Sequence, residues 1–341
     1  MSTVAVDANG ADLGPAEVAA GAALAAERGV RVRIYGPAAE IGRAPDGVEV
    51  VDAPVSIAKA ADPARAVRET PEASIVRAAR AVGAGEADAL VTGGSTGAAL
   101  AAGLFHVRRA RGIHRPALAL PVPIPGAPVL LLDVGANAEV RAEHLVQFAF
   151  MGAALAGAVL GVSEPRVALL SNGEEASKGT PLLREAHERL ARAGGLRFAG
   201  NVEGTGMAAG EADVVVTDGF TGNVALKLME GVSGALLGAV RAAATATPRA
   251  KAGGLLLRPA LRGLRDDLDP EGQGGAYMLG LRRLAVVPHG RFTRRGYASA
   301  IERAARGASE RVTERTHEAL EAAGALRRAP SAGSSSVAAR P

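Results

Sequence analysis

The sequence predicts an α/β/α sandwich built on a mostly parallel sheet. Three observations predict it. Short Val/Ile/Leu runs alternate with longer Ala-rich helical patterns along nearly the whole chain. The short runs are close to continuously apolar, as strands covered on both faces are. Several helical patterns open on Pro or Ser/Thr, the residues that helix N-termini prefer.

The strands follow from apolar runs bounded by Gly, Pro, Asp and Asn. They are Thr3–Asp7, Arg31–Gly36, Val48–Val51, Asp88–Thr92, Val129–Asp133, Arg166–Ser171, Leu196–Ala199, Asp213–Thr217 and Leu284–Val287. The helices are Pro15–Arg28, Pro71–Val82, Thr96–Arg109, Glu143–Leu160, Pro181–Ala193, Thr221–Ala244 and Arg295–Ala323. Leu145 to Val162 is apolar except for Gln147 and approaches the ~18 residues of a membrane span. Its Ala/Gly content and its place between two strands predict a buried core helix. Residues 1–325 read as one catalytic domain, with an amphipathic helical segment near 254–268. Residues 326–341 are rich in Ser, Ala and Gly without periodicity, and read as a disordered tail.

Composition narrows the chemistry. Of the 341 residues, 48% are hydrophobic but only 3% aromatic, so the core must be packed from Ala, Val and Leu. The chain has no Cys, which excludes disulfides, thiolate metal sites and a Cys nucleophile. The start, Met1-Ser2-Thr3-Val4-Ala5-Val6, enters a strand without the basic and apolar regions of a signal peptide, which points to the cytoplasm. Net charge is +4. This mild excess suits an acidic partner or a membrane surface and makes no case for nucleic acid.

In parallel sheets, ligands bind beyond the carboxyl ends of the strands, and the polar glycine-containing segments lie there. Asp218-Gly219-Phe220-Thr221-Gly222-Asn223 joins the run Asp213–Thr217 to a long helical pattern, placing backbone N–H groups and an amide at a helix N-terminus suited to an anion. Thr92-Gly93-Gly94-Ser95-Thr96-Gly97 makes a similar turn; it lacks the Gly-Lys-Ser/Thr of a Walker loop, and a plain strand-to-helix turn explains it equally well. Leu132-Asp133-Val134-Gly135-Ala136-Asn137 and Asp7-Ala8-Asn9-Gly10-Ala11-Asp12 each combine carboxylate and amide in a tight loop, as a binding loop or a structural turn would. Lys178, in Asn172–Gly179, is placed to neutralise a phosphate, against the alternative of a solvated loop lysine. Gly204-x-Gly206-x-x-x-Gly210, after Asn201, has the wrong spacing for a dinucleotide fingerprint. His289 could bind phosphate or move a proton, or serve structure alone. The His residues show no His-Glu-x-x-His spacing, so no metal and no cofactor are expected. Leu257, Leu261 and Leu264 fall on one helical stripe and Arg258, Arg262 and Arg265 on another, with Pro259 expected to start the helix. That pattern suits a membrane surface, an acidic protein or an ordinary packed helix.

Taken together, Leu131–Asn137, Glu143-His144-Leu145-x-Gln147-Phe148-Ala149, Gly173-Glu174-Glu175-x-x-Lys178-Gly179, Gly200–Gly204, Asp218–Lys227 and Gly274-Gly275-Ala276 resemble the acyl-acyl carrier protein:phosphate acyltransferase family of bacterial phospholipid synthesis. The resemblance runs from about Val4 to Ala323. One departure is Ser95, where the family usually has Asn.

The resemblance implies a fold like isopropylmalate dehydrogenase and phosphate acetyltransferase. It also implies a homodimer, peripheral contact with the membrane, and transfer of a long-chain acyl group from acyl carrier protein to inorganic phosphate. Lys178 and Asn223 are then the expected catalytic residues. Gly94, Ser95, Thr96, Gly97, Asn137, Asn201, Asp218, Gly222 and His289 are expected to bind or orient substrate, with N–H groups near Gly97 and Gly222 completing one anion site. Leu257 to Arg265 would meet membrane or carrier. The alternatives are a short-chain phosphate acetyltransferase using acyl-coenzyme A, a β-decarboxylating dehydrogenase, for which an acidic metal site and an Arg cluster are missing, and a non-catalytic membrane scaffold.

Overall fold

A computed structural model describes residues 2–327 except 45, 125 and 127, and gives no side-chain description for 265–267. The expected tail therefore lies, from residue 328 on, outside the described residues, as does the side chain of Arg265.

Among the described residues eleven strands form one sheet: β1 (Thr3–Asp7), β2 (Arg31–Gly36), β3 (Val48–Asp52), β4 (Ala89–Thr92), β5 (Ala117–Val122), β6 (Val129–Leu132), β7 (Val167–Leu170), β8 (Phe198–Val202), β9 (Val214–Val216), β10 (Ala276–Leu279) and β11 (Leu284–Val287). Their order is β3-β2-β1-β4-β11-β10-β5-β6-β9-β7-β8. β1 to β4 and β11 run parallel, and β6 to β9 run parallel. Between these blocks β10 is antiparallel to both β11 and β5, and β5 is antiparallel to β6. Two reversals leave β5 aligned with the first block; the third turns the second block the other way. The carboxyl ends of β1, β4 and β11 therefore open on one edge of the sheet. Those of β6, β9, β7 and β8 open on the opposite edge.

β5 and β10 are the two strands absent from the sequence reading. Pro121 removes a donor from β5, yet β5 pairs with β10 only through Ala119, so the missing N–H lies beyond that neighbour.

Apolar side chains fill both faces of the sheet. Val4 and Val6 pack to one side and Ala5 to the other, all fully buried. The first face is covered by α1 (Pro15–Glu27), α6 (Ala142–Leu155), α7 (Pro181–Arg192), α12 (Arg294–Ser309) and α13 (Val312–Ala322). The second is covered by α4 (Ser74–Ala84), α5 (Thr96–Ala102) and the base of α9 (Gly219–Thr245). The layers are those of the expected sandwich. The apolar stretch after Ala142 is a core helix, as expected, 72% buried in its most apolar window. The helix expected over Arg295–Ala323 breaks in two, because Arg311 adopts a left-handed backbone (φ 57°) before α13.

α9 packs against α10 (Pro248–Asp267) to make a hairpin. Pro259 lies inside α10 and does not start it. Along α9, Phe220, Val224, Leu228, Val232, Leu236 and Val240 are all exposed, from 46% to 67%. Leu255, Leu256 and Leu257 of α10 are exposed too.

Candidate active site

The edge formed by the carboxyl ends of β6, β9, β7 and β8 is organised around Asp133. Its carboxylate is buried and accepts the backbone N–H groups of Leu118, Gly135, Ala136 and Asn137 at 2.8 to 3.2 Å, and the Asn137 amide at 2.8 Å. Burial pushes the Asp133 carboxyl up from its ordinary value, against the opposing pull of these donors. Asn137 also donates to the Pro116 carbonyl at 2.7 Å. Its amide thus serves the loop and is buried, so it supports the site from beneath.

The N-terminus of α9 rests directly on this loop. Gly219 N–H donates to the Asn137 carbonyl at 2.8 Å. A Cβ on Gly222 would lie 1.9 Å from the Asp133 carbonyl oxygen, so only glycine allows this approach. Asp218 caps the helix, accepting Thr221 N–H at 2.8 Å and Thr221 Oγ1 at 2.7 Å. Gly222 N–H donates to the Asp218 carbonyl at 2.9 Å. The expected anion contact from the Gly222 N–H is therefore corrected: it is already used inside the helix, and the N–H groups of Gly219 and Thr221 are taken by the Asn137 carbonyl and the Asp218 carboxylate. This terminus offers its positive dipole end and the exposed Asn223 side chain, whose Oδ1 lies 3.9 Å from where a Cβ on Gly135 would stand.

Lys178 arrives from the neighbouring strand. β7 pairs with β9, and its loop carries Lys178 over Gly173, where a Cβ would lie 2.6 Å from Lys178 Cγ. The loop is pinned at two points. Asn172 accepts Gly179 N–H at 3.0 Å, and the buried Asn201 donates to the Glu175 carbonyl at 2.9 Å. Asn201 lies within β8 and its Oδ1 meets His187 Nδ1 at 3.0 Å. It is a positioning residue for the lysine loop. Lys178 itself is exposed and forms no ion pair among the described residues. The edge thus carries an exposed cationic side chain, an exposed amide and a helix N-terminus.

The remaining expected residues lie elsewhere. Gly94, Ser95, Thr96 and Gly97 follow β4, and His289 follows β11, on the opposite edge. Five strand spacings of about 4.8 Å separate β4 from β9, about 24 Å across the sheet. A single anion site joining Gly97 to Gly222 within the chain is thereby corrected. On their own edge these residues are built tightly. Ser95 caps α5, its Oγ accepting Ala98 N–H at 3.3 Å. A Cβ on Gly94 would lie 2.3 Å from the Gly10 carbonyl oxygen. Beneath them Asp7 is buried, accepting Ser74 Oγ at 2.6 Å, Thr92 Oγ1 at 2.8 Å and Asn9 N–H at 3.1 Å. His289 is exposed and accepts Arg291 N–H at 3.2 Å.

Sequence reasoning missed the exposed stripe of α9. The spacing of four from Phe220 to Val240 was its signal, but periodicity alone does not say whether an apolar face is covered by the same chain.

This fold, with its sheet of two opposed parallel blocks, is that of phosphotransacetylases. A phosphotransacetylase from Streptococcus pyogenes matches with a TM-score of 0.61 at 18% identity, covering 89% of this chain and 93% of its own. The EutD phosphotransacetylase from Staphylococcus aureus matches with a TM-score of 0.59 at 16% identity, covering 90% and 94%. Residues 2–315 match the family described as fatty acid synthesis protein, and the chain belongs to that family of acyltransferases. A relative from Pelotomaculum thermopropionicum named phosphate acyltransferase is 41% identical over 325 residues, 93% of this chain and 95% of its own length. One of the same name from Streptococcus pneumoniae is 43% identical over 297 residues, 85% and 90%.

Proposed function

We propose that this chain transfers a long-chain acyl group from an acyl carrier protein thioester to inorganic phosphate, yielding an acyl phosphate for phospholipid synthesis. What supports the reading is that exposed Lys178 and Asn223 follow the adjacent strands β7 and β9 on the same sheet edge. The chemistry asks little more. Phosphate is ionised near neutral pH, so its oxygen attacks the thioester carbonyl carbon without a general base. The C–S bond then breaks, and the carrier thiolate, whose conjugate thiol has a pKa of roughly 8.5, leaves and takes a proton from solvent.

Lys178 neutralises and positions the phosphate. Asn223 donates to the oxyanion that forms on the carbonyl oxygen, a contribution typically of about 2.7–4 kcal/mol to the barrier. Asn137, Asn201, Asp218 and Gly222 hold these two side chains in place. The α9–α10 hairpin supplies the apolar surface. Its exposed α9 stripe suits a second copy of the chain, and Leu257, Arg258, Leu261, Arg262 and Leu264 suit peripheral contact with an anionic membrane.

The test is phosphate-dependent release of free carrier from a long-chain acyl-carrier thioester, with hydroxylamine trapping of the acyl phosphate. Lys178→Ala should nearly abolish release while the far-ultraviolet circular dichroism stays native. A Lys178→Ala protein with the wild-type rate would remove Lys178 from the site. Turnover of acetyl-coenzyme A alone would make the enzyme a short-chain one.

A further inference from the structure

Beside the Asp133 loop, on the same sheet edge, lies a group of arginines with no role in the chemistry above. Arg108, Arg109, Arg111 and Arg115 occupy the segment leading into β5; Arg282 and Arg283 form the turn between β10 and β11. The backbone ties the two segments together: Arg282 N–H donates to the Arg108 carbonyl at 2.9 Å, Ala110 N–H to the Gly280 carbonyl at 3.0 Å, and Arg109 bridges Leu281. The segment also abuts the candidate site, since Pro116, next to Arg115, accepts the Asn137 amide at 2.7 Å.

All six arginines are exposed, and none forms an ion pair among the described residues. Several arginines elsewhere are matched, among them Arg33 to Glu49 and Glu86, Arg166 to Asp213, Arg189 to Glu185 and Arg294 to Glu17. The two segments carry no acids of their own, and Glu143, the carboxylate that acts on His114 and His144 beside them, is paired with Arg141. No Asp or Glu occurs between Asp88 and Asp133, nor between Glu271 and Glu302. Six like charges without ion-pair partners repel one another and attract an anionic surface from outside.

We infer that Arg108, Arg109, Arg111, Arg115, Arg282 and Arg283 form the docking surface for an acidic protein partner, which, resting on the reading above, is the acyl carrier that delivers the thioester to the Lys178 edge. An acidic protein fits better than a lipid surface, because the arginines flank the reaction edge, whereas the exposed leucines suited to lipid lie on the α9–α10 hairpin.

Two variants test this, Arg282→Glu/Arg283→Glu and Arg111→Glu/Arg115→Glu, each altering exposed loop side chains. A carrier bearing a fluorescent label and no acyl chain is titrated by anisotropy, and acyl-carrier turnover is measured in parallel. At low salt each variant should bind carrier about tenfold more weakly and show a raised KM with kcat kept, the deficit closing as salt screens it. Unchanged carrier binding by both folded variants, with wild-type turnover intact, overturns the docking surface and leaves the reaction standing. Carrier binding that needs the arginines without any turnover keeps the surface and ends the proposed reaction. A loss seen only with phosphatidylglycerol vesicles, and not with carrier, assigns the arginines to the membrane and overturns the inference.

Discussion

Gly222→Ala sets two effects against each other inside one helix. Helix propensity favours alanine over glycine by about 0.8–1.0 kcal/mol, so on propensity alone the variant gains stability. Sterics oppose it. The new Cβ would stand 1.9 Å from the Asp133 carbonyl oxygen, where ordinary contacts begin near 3.4 Å. The α9 N-terminus and the Asp133 loop must therefore part by about 1.5 Å. Neither can yield freely, because the Asp133 carboxylate holds its own loop through five donors. Overpacking of this kind costs about 1–3 kcal/mol, which exceeds the propensity gain. A displacement of about 1 Å at reacting groups can cost about a hundredfold in rate, and Asn223 is the next residue along. The variant should lose about a hundredfold in acyl phosphate formation, followed by hydroxylamine trapping, with a lowered melting temperature. Gly231→Ala is the control: a Cβ there meets nothing within 4 Å, so propensity acts alone and the protein should be unchanged or slightly more stable. A Gly222→Ala enzyme with wild-type turnover would refute the placement of Asn223 by this contact.

Ser95→Ala removes the cap of α5 and should cost about 1 kcal/mol, lowering the melting temperature by about 2 °C. Its turnover should stay near wild type, and a large drop in kcat would show that the β4 edge takes part in the reaction. The hydrogen bond from Arg166 holds the Asp213 carboxyl below its ordinary value of 3.8. The stability this pair adds is therefore present above the unfolded pKa and lost as pH falls through the lower folded one. Asp213→Asn should be less stable than wild type at pH 7, with the difference shrinking below about pH 4 in urea titrations; a gap constant down to pH 2 would contradict the linkage. Leu228→Gln/Leu236→Gln should move the protein toward monomer in sedimentation velocity, and Leu257→Gln/Leu261→Gln/Leu264→Gln should weaken its sedimentation with anionic vesicles. If neither changes, the exposed hairpin serves some other surface.

The layered fold was legible because buried strands and capped helices leave local signatures. β1, β2 and β11 have the bounds their apolar runs predicted, and Pro15, Thr96 and Pro181 mark true helix starts. β5 escaped because Pro121 reads as a strand breaker. β10 escaped because four residues after Gly274-Gly275 carry too little pattern. Those two strands hold the direction changes of the sheet among the described residues, and strand direction has no trace in periodicity. Loops predicted to share one anion site consequently fell on two edges. Lys178, Asn201, Asp218 and Asn223 lie on one edge because β9, β7 and β8 are neighbours of like direction. The expectation for Gly222 N–H failed for a local reason: the helix already begins at Gly219, so this donor closes a backbone bond to the Asp218 carbonyl.

The place of β10 and β11 also bears on how the chain is made. β4 and β5 are consecutive in sequence, yet two strands from residues 276–287 stand between them. When β5 has left the ribosome, its partner β10 is still about 155 residues away, a wait of roughly 8–31 s at 5–20 residues per second. Through that interval β4 and β5 each carry an unpaired central edge. The nascent chain therefore holds its own middle open until late in synthesis. A product cut short before Ala276 would keep both open edges for good, as sticky templates for another chain.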